Sequence, residues 1–316
     1  SPLALTNNLA PLGQWLGINL GAVTFNQLLD DSVGGEFERQ LAIKEGAISG
    51  HAGASWKWSP TVMYYVTYSR GVKSGGVNLG VTGERVQPTF RPETVDSFEL
   101  GLKSLWWDER LLFNVAAYHA LVTDYQALTF DESSTILANP RLNNLLNVGK
   151  VSLTGVDLDL QLALPRQWEV RAGISYNRAI TEDFTNAPDE DTLENTRDLG
   201  GEPLANAPRW SGNVGVNKQW LLDGGYTAYL ATDYHYRSRF NTTLERSRNA
   251  FVEGYGVAGA RLGLQAKASW DASLWVRNVF NEDYIAAIQT LYGVGAYGAF
   301  AGEPRFIGGT LRLIWP

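Results

Sequence analysis

Three histidines, His51, His119 and His235, and no cysteine are what this sequence offers to metal or nucleophilic chemistry. Without Cys there are no disulfides, thiol nucleophiles or Cys-based zinc sites. The histidines are isolated, with no second ligand at metal spacing, so they read as structural. Neither His119 nor His235 has a nucleophile motif nearby, so no catalytic residue is assigned and the chain does not read as an enzyme. Asp189, Glu190 and Asp191 lie in an acidic run whose EF-hand pattern Leu193 breaks, which leaves solvated charge and no metal site. Gly293, Gly295 and Gly298 spell GxGxxG, but no strand-loop-helix context surrounds them and no acidic residue lies about 20 positions on, so no cofactor is expected.

The elements that would position any site are strands. Eleven Trp and 14 Tyr against a single Met mark a chain rich in strand formers and interfacial rings. No window of about 18 apolar residues exists, which excludes a transmembrane helix but not membrane strands, whose signal is alternation. A net charge of −7 argues against nucleic acid as a partner. The first residue is not Met and no signal peptide is visible at Ser1, so a processed chain or a fragment is expected.

Read for alternation and turns, the chain divides into about twelve strand candidates. They are Gln14 to Phe25, Gly46 to Trp58, Val62 onward, Asp96 to Trp107, Leu111 to Leu128, Val148 to Leu164, Trp168 to Ile180, Arg209 to Trp220, Tyr226 to Arg237, Tyr255 to Ala266, Trp270 to Phe280 and Phe306 to Trp315. The connections alternate between turns of a few residues and loops of roughly 15 to 25. Six structureless loops of that length are foreign to a compact soluble domain, where loops above about 12 to 15 residues are uncommon. They suit an antiparallel transmembrane β-barrel with short periplasmic turns and long extracellular loops.

Period-2 alternation gives each strand two faces. Phe98, Leu100 and Leu102 oppose Glu99, Gly101 and Lys103, and Val156, Leu158, Leu160 and Leu162 oppose Asp157, Asp159 and Gln161. Arg171, Arg261, Arg277 and Arg312 fall opposite the apolar set, a costly place in a dry core and a cheap one in a wet lumen. Trp56, Trp58, Trp106, Trp107, Trp168, Trp220 and Trp270 sit near the short turns, as an interfacial aromatic girdle would.

Several segments resemble TonB-dependent outer-membrane receptors. YSRGVKSGGVN, from Tyr68, is similar to the family's YSRGFKSGGFN, and RPETVDSFELGLKS to its next strand. NVGKVSLTGVDLDL, NAPRW, VRNVFNEDY and GEPRFIGGTLRLIW follow in the family's order, and the resemblance runs from Leu12 almost to the end. Val72, Val77, Ala205 and Pro316 depart from its pattern. The family carries an N-terminal plug and about twenty-two strands, so the expectation is one β-barrel domain over 1–316 or the C-terminal half of a larger barrel, with no plug.

The resemblance implies a receptor in the bacterial outer membrane for energised uptake of a scarce ligand, most often a ferric siderophore. Its implied partners are outer-membrane lipid, the ligand, and the TonB energy-transducing complex acting through a plug domain missing from the chain. A passive small barrel or porin, and a non-transporting structural or designed barrel, remain alternatives. The ligand contacts it implies come from loops and the upper lumen wall: Arg70 and Lys73, then Tyr234, Tyr236, Arg237 and Arg239, then Tyr292 and Tyr297. Rings and cations there would suit a flat anionic chelate.

Overall fold

A computed structural model describes residues 45–78, 88–130, 143–185, 187–189, 196–266, 269–291 and 296–313. The candidate strand at Gln14 to Phe25, together with Tyr292, Gly293, Gly295, Glu190, Asp191 and Trp315, lies outside these residues. The chain forms two compact units, one of residues 1–47, 72–93 and 124–148, the other of 48–71, 94–123 and 149–316.

The second unit is built on one antiparallel sheet of 11 strands joined in chain order. These are β1 (Gly50–Ser59), β2 (Val62–Lys73), β3 (Glu93–Trp106), β4 (Leu111–Thr123), β5 (Lys150–Leu164), β6 (Trp168–Asp183), β7 (Trp210–Leu222), β8 (Tyr226–Arg237), β9 (Tyr255–Ala266), β10 (Trp270–Arg277) and β11 (Phe306–Leu313). Each of the eleven candidates within the described residues is a strand, though ends move. Leu111 to Leu128 breaks at Asp124, which sits at φ 55°, and Trp270 to Phe280 ends at Asn278, at φ 49°. A single left-handed residue turns the backbone out of its ladder, and Asp and Asn adopt that conformation at little cost.

The ladder fixes which side chains share a face, because directly paired residues point the same way. Ile174 pairs with Leu158 and Gly212, Ala172 with Leu160 and Val214, and Val170 with Leu162 and Val216, making an apolar face. On the other face Arg171 pairs with Gln161 and Gly215, while Arg261 pairs with Ala231 and Trp275. Arg277 pairs with Gly259 and Phe306, and Asp271 with Arg312, so the four arginines singled out in the sequence share the polar face. From Trp168 to Tyr176 the apolar stripe of β6 spans the ~9 to 11 residues that a tilted strand needs to cross a bilayer.

The long connections are more ordered than expected. Each of the five with described residues carries a two-stranded ribbon: Gly76–Val77 with Thr89–Phe90, Gln126–Phe130 with Asn143–Asn147, Ala187–Pro188 with Thr196–Arg197, Phe240–Asn241 with Phe251–Val252, and Ile285–Leu291 with Ala296–Ala301. A buried cluster of Phe240, Ala250, Val252 and Ile288, with Tyr255 and Tyr297 against it, ties the last two ribbons together. Apolar residues distributed along a loop cannot show this in sequence, since the cluster joins positions 48 apart.

The first unit holds two of these ribbons. Glu93 is its buried anchor, accepting from the Gln126 amide at 2.8 Å and pairing with Lys73 at 3.8 Å. Burial, with the Glu93 charge adding to it, raises the Tyr125 phenol above its ordinary pKa, so it stays neutral there.

Candidate ligand-binding surface

The polar face changes character across the second unit. On β3, β5 and β6 it presents Glu99, Asp157, Asp159 and Glu169 against Lys103 and Arg171, a net acidic set. On β8 to β11 it presents Arg237, Arg261, Arg277 and Arg312 against Asp233 and Asp271, a net basic one. Two neighbouring cavities lie along these strands. One of about 760 Å³ spans both sets, lined by Asp157, Gly173 and Ser175 of β5 and β6, Ser211 and Asn213 of β7, and His235, Arg237, Tyr255 and Tyr284 among others. The second, about 360 Å³, shares His235, Val257 and Tyr284 and adds Asp233, Arg261, Trp275, Arg277 and Glu303.

The aromatic and cationic groups are stacked. The Arg237 guanidinium lies 5.3 Å from the Tyr255 ring centre, and Tyr255 stacks on Tyr284 at 4.2 Å and 27°. Arg277 lies 5.1 Å over Trp275 and 3.7 Å from the Glu303 carboxylate, and His235 is 3.4 Å from that of Asp233. A cation held on an aromatic face keeps its charge available at its outer edge, and stacked rings offer a flat apolar wall.

Tyr284 reaches this place through the turn of VRNVFNEDY. Asn278, 2% exposed, donates from Nδ2 to the carbonyls of Glu282 and Glu303 at 2.8 and 2.9 Å and accepts the Glu282 amide at 2.8 Å. That folds the chain back after β10 and delivers Tyr284 next to Tyr255. Gly302 lies under the ring, where a Cβ would come within 2.1 Å of it.

Of the residues named from sequence, Arg237 lies in this group and Tyr236 also lines the larger cavity. Tyr234 and Tyr236 pair with Val214 and Gly212 and so point to the apolar face, where the Tyr234 ring covers Gly256. Arg70 is on that face too, 3.1 Å from Asp96, which also accepts from the Tyr68 hydroxyl at 2.5 Å. Arg239 is paired with Glu253 at 2.9 Å and lies 4.3 Å over Phe251. Tyr297 packs on the loop cluster and meets the Ser247 hydroxyl at 2.7 Å. Lys73 belongs to the first unit. His235, Tyr255 and Tyr284 were not singled out for binding. Strand parity with Arg237 would have found the first two, while Tyr284 depends on the turn.

The apolar face carries rings at both ends: Trp106, Trp168 and Trp220 near the short turns, and Tyr176 on Trp210 at 4.8 Å with Tyr68 on Phe98 at 4.9 Å at the other. An antiparallel sheet with a ringed apolar face, a charged opposite face and long connections at one end defines a transmembrane β-barrel of the outer-membrane type. Residues 8–279 match the family model described as TonB dependent receptor-like, beta-barrel, and the chain belongs to that family of receptors. It is thus an outer-membrane chain, with the long connections extracellular.

The chain is 23% identical over 270 residues to the catecholate siderophore receptor Fiu of Escherichia coli O157:H7, covering 82% of this chain and 31% of that protein. It is 23% identical over 272 residues to the ferric-pyoverdine M114 receptor PbuA of Pseudomonas sp. (strain M114), covering 82% and 29%. The crystal structure of the ferric yersiniabactin uptake receptor FyuA of Yersinia pestis superposes with a TM-score of 0.64 at 17% identity, covering 84% of this chain and 37% of that one. The chain spans about a third of the length of the curated relatives it matches.

Proposed function

We propose that the chain forms part of the barrel of a receptor that takes up an anionic ferric siderophore. Its upper lumen wall is the basic sector of β8 to β11. The observation that carries this is the ladder of Arg237, Tyr255 and Tyr284, with His235 and Arg277 beside it, facing cavities of about 760 and 360 Å³. A planar chelate with anionic oxygens stacks on the rings and pairs its charge with the guanidinium groups. The relatives' names carry catecholate, pyoverdine and yersiniabactin, and the reading extends to this chain the chelate chemistry those names share. Uptake draws on the TonB energy-transducing complex through a plug domain, and outer-membrane lipid surrounds the apolar face.

Quenching of protein fluorescence on titration with ferric siderophores tests this. Saturable quenching that weakens about tenfold or more in R237A and Y255L/Y284L variants is expected, because the first removes a charge-assisted contact and the second the stacked rings. Undiminished quenching in both variants, or none in the unaltered chain, would overturn the reading.

A further inference from the structure

The larger cavity is bounded by opposite charges that the strand register lines up. Asp157 on β5 pairs with Ser175 on β6, Ser175 with Ser211 on β7, Ser211 with Arg237 on β8, and Arg237 with Tyr255 on β9. Directly paired residues point the same way, so these five side chains make one transverse row on the lumen face. All five line the cavity of about 760 Å³. A carboxylate stands at one end of the row and a guanidinium against stacked rings at the other, with two serines between them.

The floor between the ends is low and polar. In the adjoining row Gly173 pairs with Asn213, so the middle strands contribute Gly, Ser and Asn and no charge that could bridge the ends. Adjacent strands lie about 4.7 to 4.9 Å apart, which puts three spacings, roughly 14 Å, between the β5 and β8 backbones. Arg237 rests against the Tyr255 ring of β9, at 5.3 Å, on the side away from β5. Among the described residues neither Asp157 nor Arg237 has an ion-pair partner.

Neighbouring charges do not cancel either end. Asp159, two residues along the same face, adds a second carboxylate and accepts from Asn114 Nδ2 at 3.3 Å. Arg171, farther along that face, is held by Glu169 at 2.6 Å. On the basic side Glu303 lies 3.7 Å from Arg277 and Glu253 2.9 Å from Arg239, which leaves Arg237 without a carboxylate.

A uniformly anionic chelate gains at Arg237 and is repelled by Asp157 and Asp159. A ligand that gains at both ends carries anionic metal-binding oxygens and, across the serine floor, a protonated amine. We propose that this cavity selects a zwitterionic ferric chelate, with its anionic metal-binding group on Arg237, Tyr255 and Tyr284 and a cationic amine arm on Asp157. The assignment rests on the ferric-chelate reading above and narrows its substrate class. Asp157 is the residue that determines this specificity, and Ser175, Ser211 and Gly173 leave room for the arm to cross.

Fluorescence titration of the full chain with two ferric tris-catecholates that differ in one arm tests the assignment. One arm ends in a primary amine and the other in the same amine N-acetylated. The unaltered chain is expected to bind the amine form about tenfold or more tighter, the size of a charge-assisted hydrogen bond. That preference should shrink as salt is added, because the lumen is wet. D157N gives up no hydrogen bond or ion pair among the described residues and should fold, with the ratio of the two affinities falling towards one. Equal, saturable quenching by both chelates in the unaltered chain would overturn the zwitterion assignment without reference to any variant, and would leave the ferric-chelate reading standing. A preference undiminished in D157N would overturn it too. Quenching by neither chelate would overturn the ferric-chelate reading and the inference with it.

Discussion

The two ends of the sheet solve the same problem in opposite ways. At the short-turn end Trp56, Trp58, Trp106, Trp107, Trp168 and Trp220 are all exposed, the least so Trp168 at 39%. At the long-connection end the chain buries Ala120, Val122, Val151, Ala179, Ile180, Phe184, Leu199, Phe240, Ala250, Val252 and Ile288. Rings at the periplasmic end are bathed by lipid and need no protein core, while long connections that reach water must bury their own apolar side chains and pair their own amides. Ribbons and a small core follow from that demand. Lipid does for one end what packing must do for the other.

The sharpest way to break this contrast is to empty the loop core. Phe240→Ala removes a ring that is 6% exposed, and it should destabilise the connections by about 3 to 5 kcal/mol, the usual cost of Phe to Ala in a packed site. Hydrogen exchange should show amides of 240–252, 285–291 and 296–301 losing protection while those of Trp168 to Tyr176 keep it. If the strand amides lose protection equally, the two ends are one cooperative unit and the contrast fails.

Asn278→Ala acts on the turn that brings Tyr284 to the proposed ligand-binding surface. It removes three hydrogen bonds from a residue that is 2% exposed and puts Ala at φ 49°, at an expected cost of about 2 to 3 kcal/mol. Tyr284 should leave Tyr255, so siderophore quenching should weaken in step with the loss of protection at the Glu282 amide. Unaltered quenching would show that Tyr284 needs no help from the turn.

The sequence made one of these ends far more legible than the other. Alternation such as Val156 to Leu162 against Asp157 to Gln161 is local, so faces, strand order and the Trp girdle could be read directly from spacing. Parity likewise placed Arg261 and Arg277 in the lumen. Tyr234 and Tyr236 were singled out as ring-bearing neighbours of Arg237, yet a period of two sends alternate residues to opposite faces, and both point to the apolar side. The loop core was not legible at all, because Phe240, Val252 and Ile288 meet through tertiary folding and follow no period. Tyr284 lies between these cases: its motif was visible, but the left-handed Asn278 that aims it was not.

At the short-turn end the effects should be smaller. Lys218, on the apolar face, donates to the Arg166 carbonyl and lies 5.4 and 5.5 Å from the rings of Trp168 and Trp220. Trp168→Leu keeps an apolar side chain and removes one cation–π contact, worth about 1 kcal/mol. Urea unfolding from lipid vesicles should show that decrement, and the same substitution in maltoside micelles should show it as well, since the contact lies within the protein. A loss confined to vesicles would assign the whole effect of Trp168 to lipid.

The smallest effect is expected where the long-connection end meets the lipid boundary without a core behind it. Arg70 and Asp96 are 3.1 Å apart, with side chains 43% and 29% exposed, and Asp96 keeps the Tyr68 hydroxyl when Arg70 is removed. Arg70→Ala should therefore cost no more than about 1 kcal/mol, as exposed ion pairs do, and less as salt screens the pair. A double-mutant cycle with Asp96→Asn at low and high salt measures the coupling directly. A coupling above about 2 kcal/mol that ignored salt would mean that the pair is effectively buried. The division of the molecule into a lipid-supported end and a self-packed end would then have to be redrawn to bring the outer rim of β2 and β3 into the packed region.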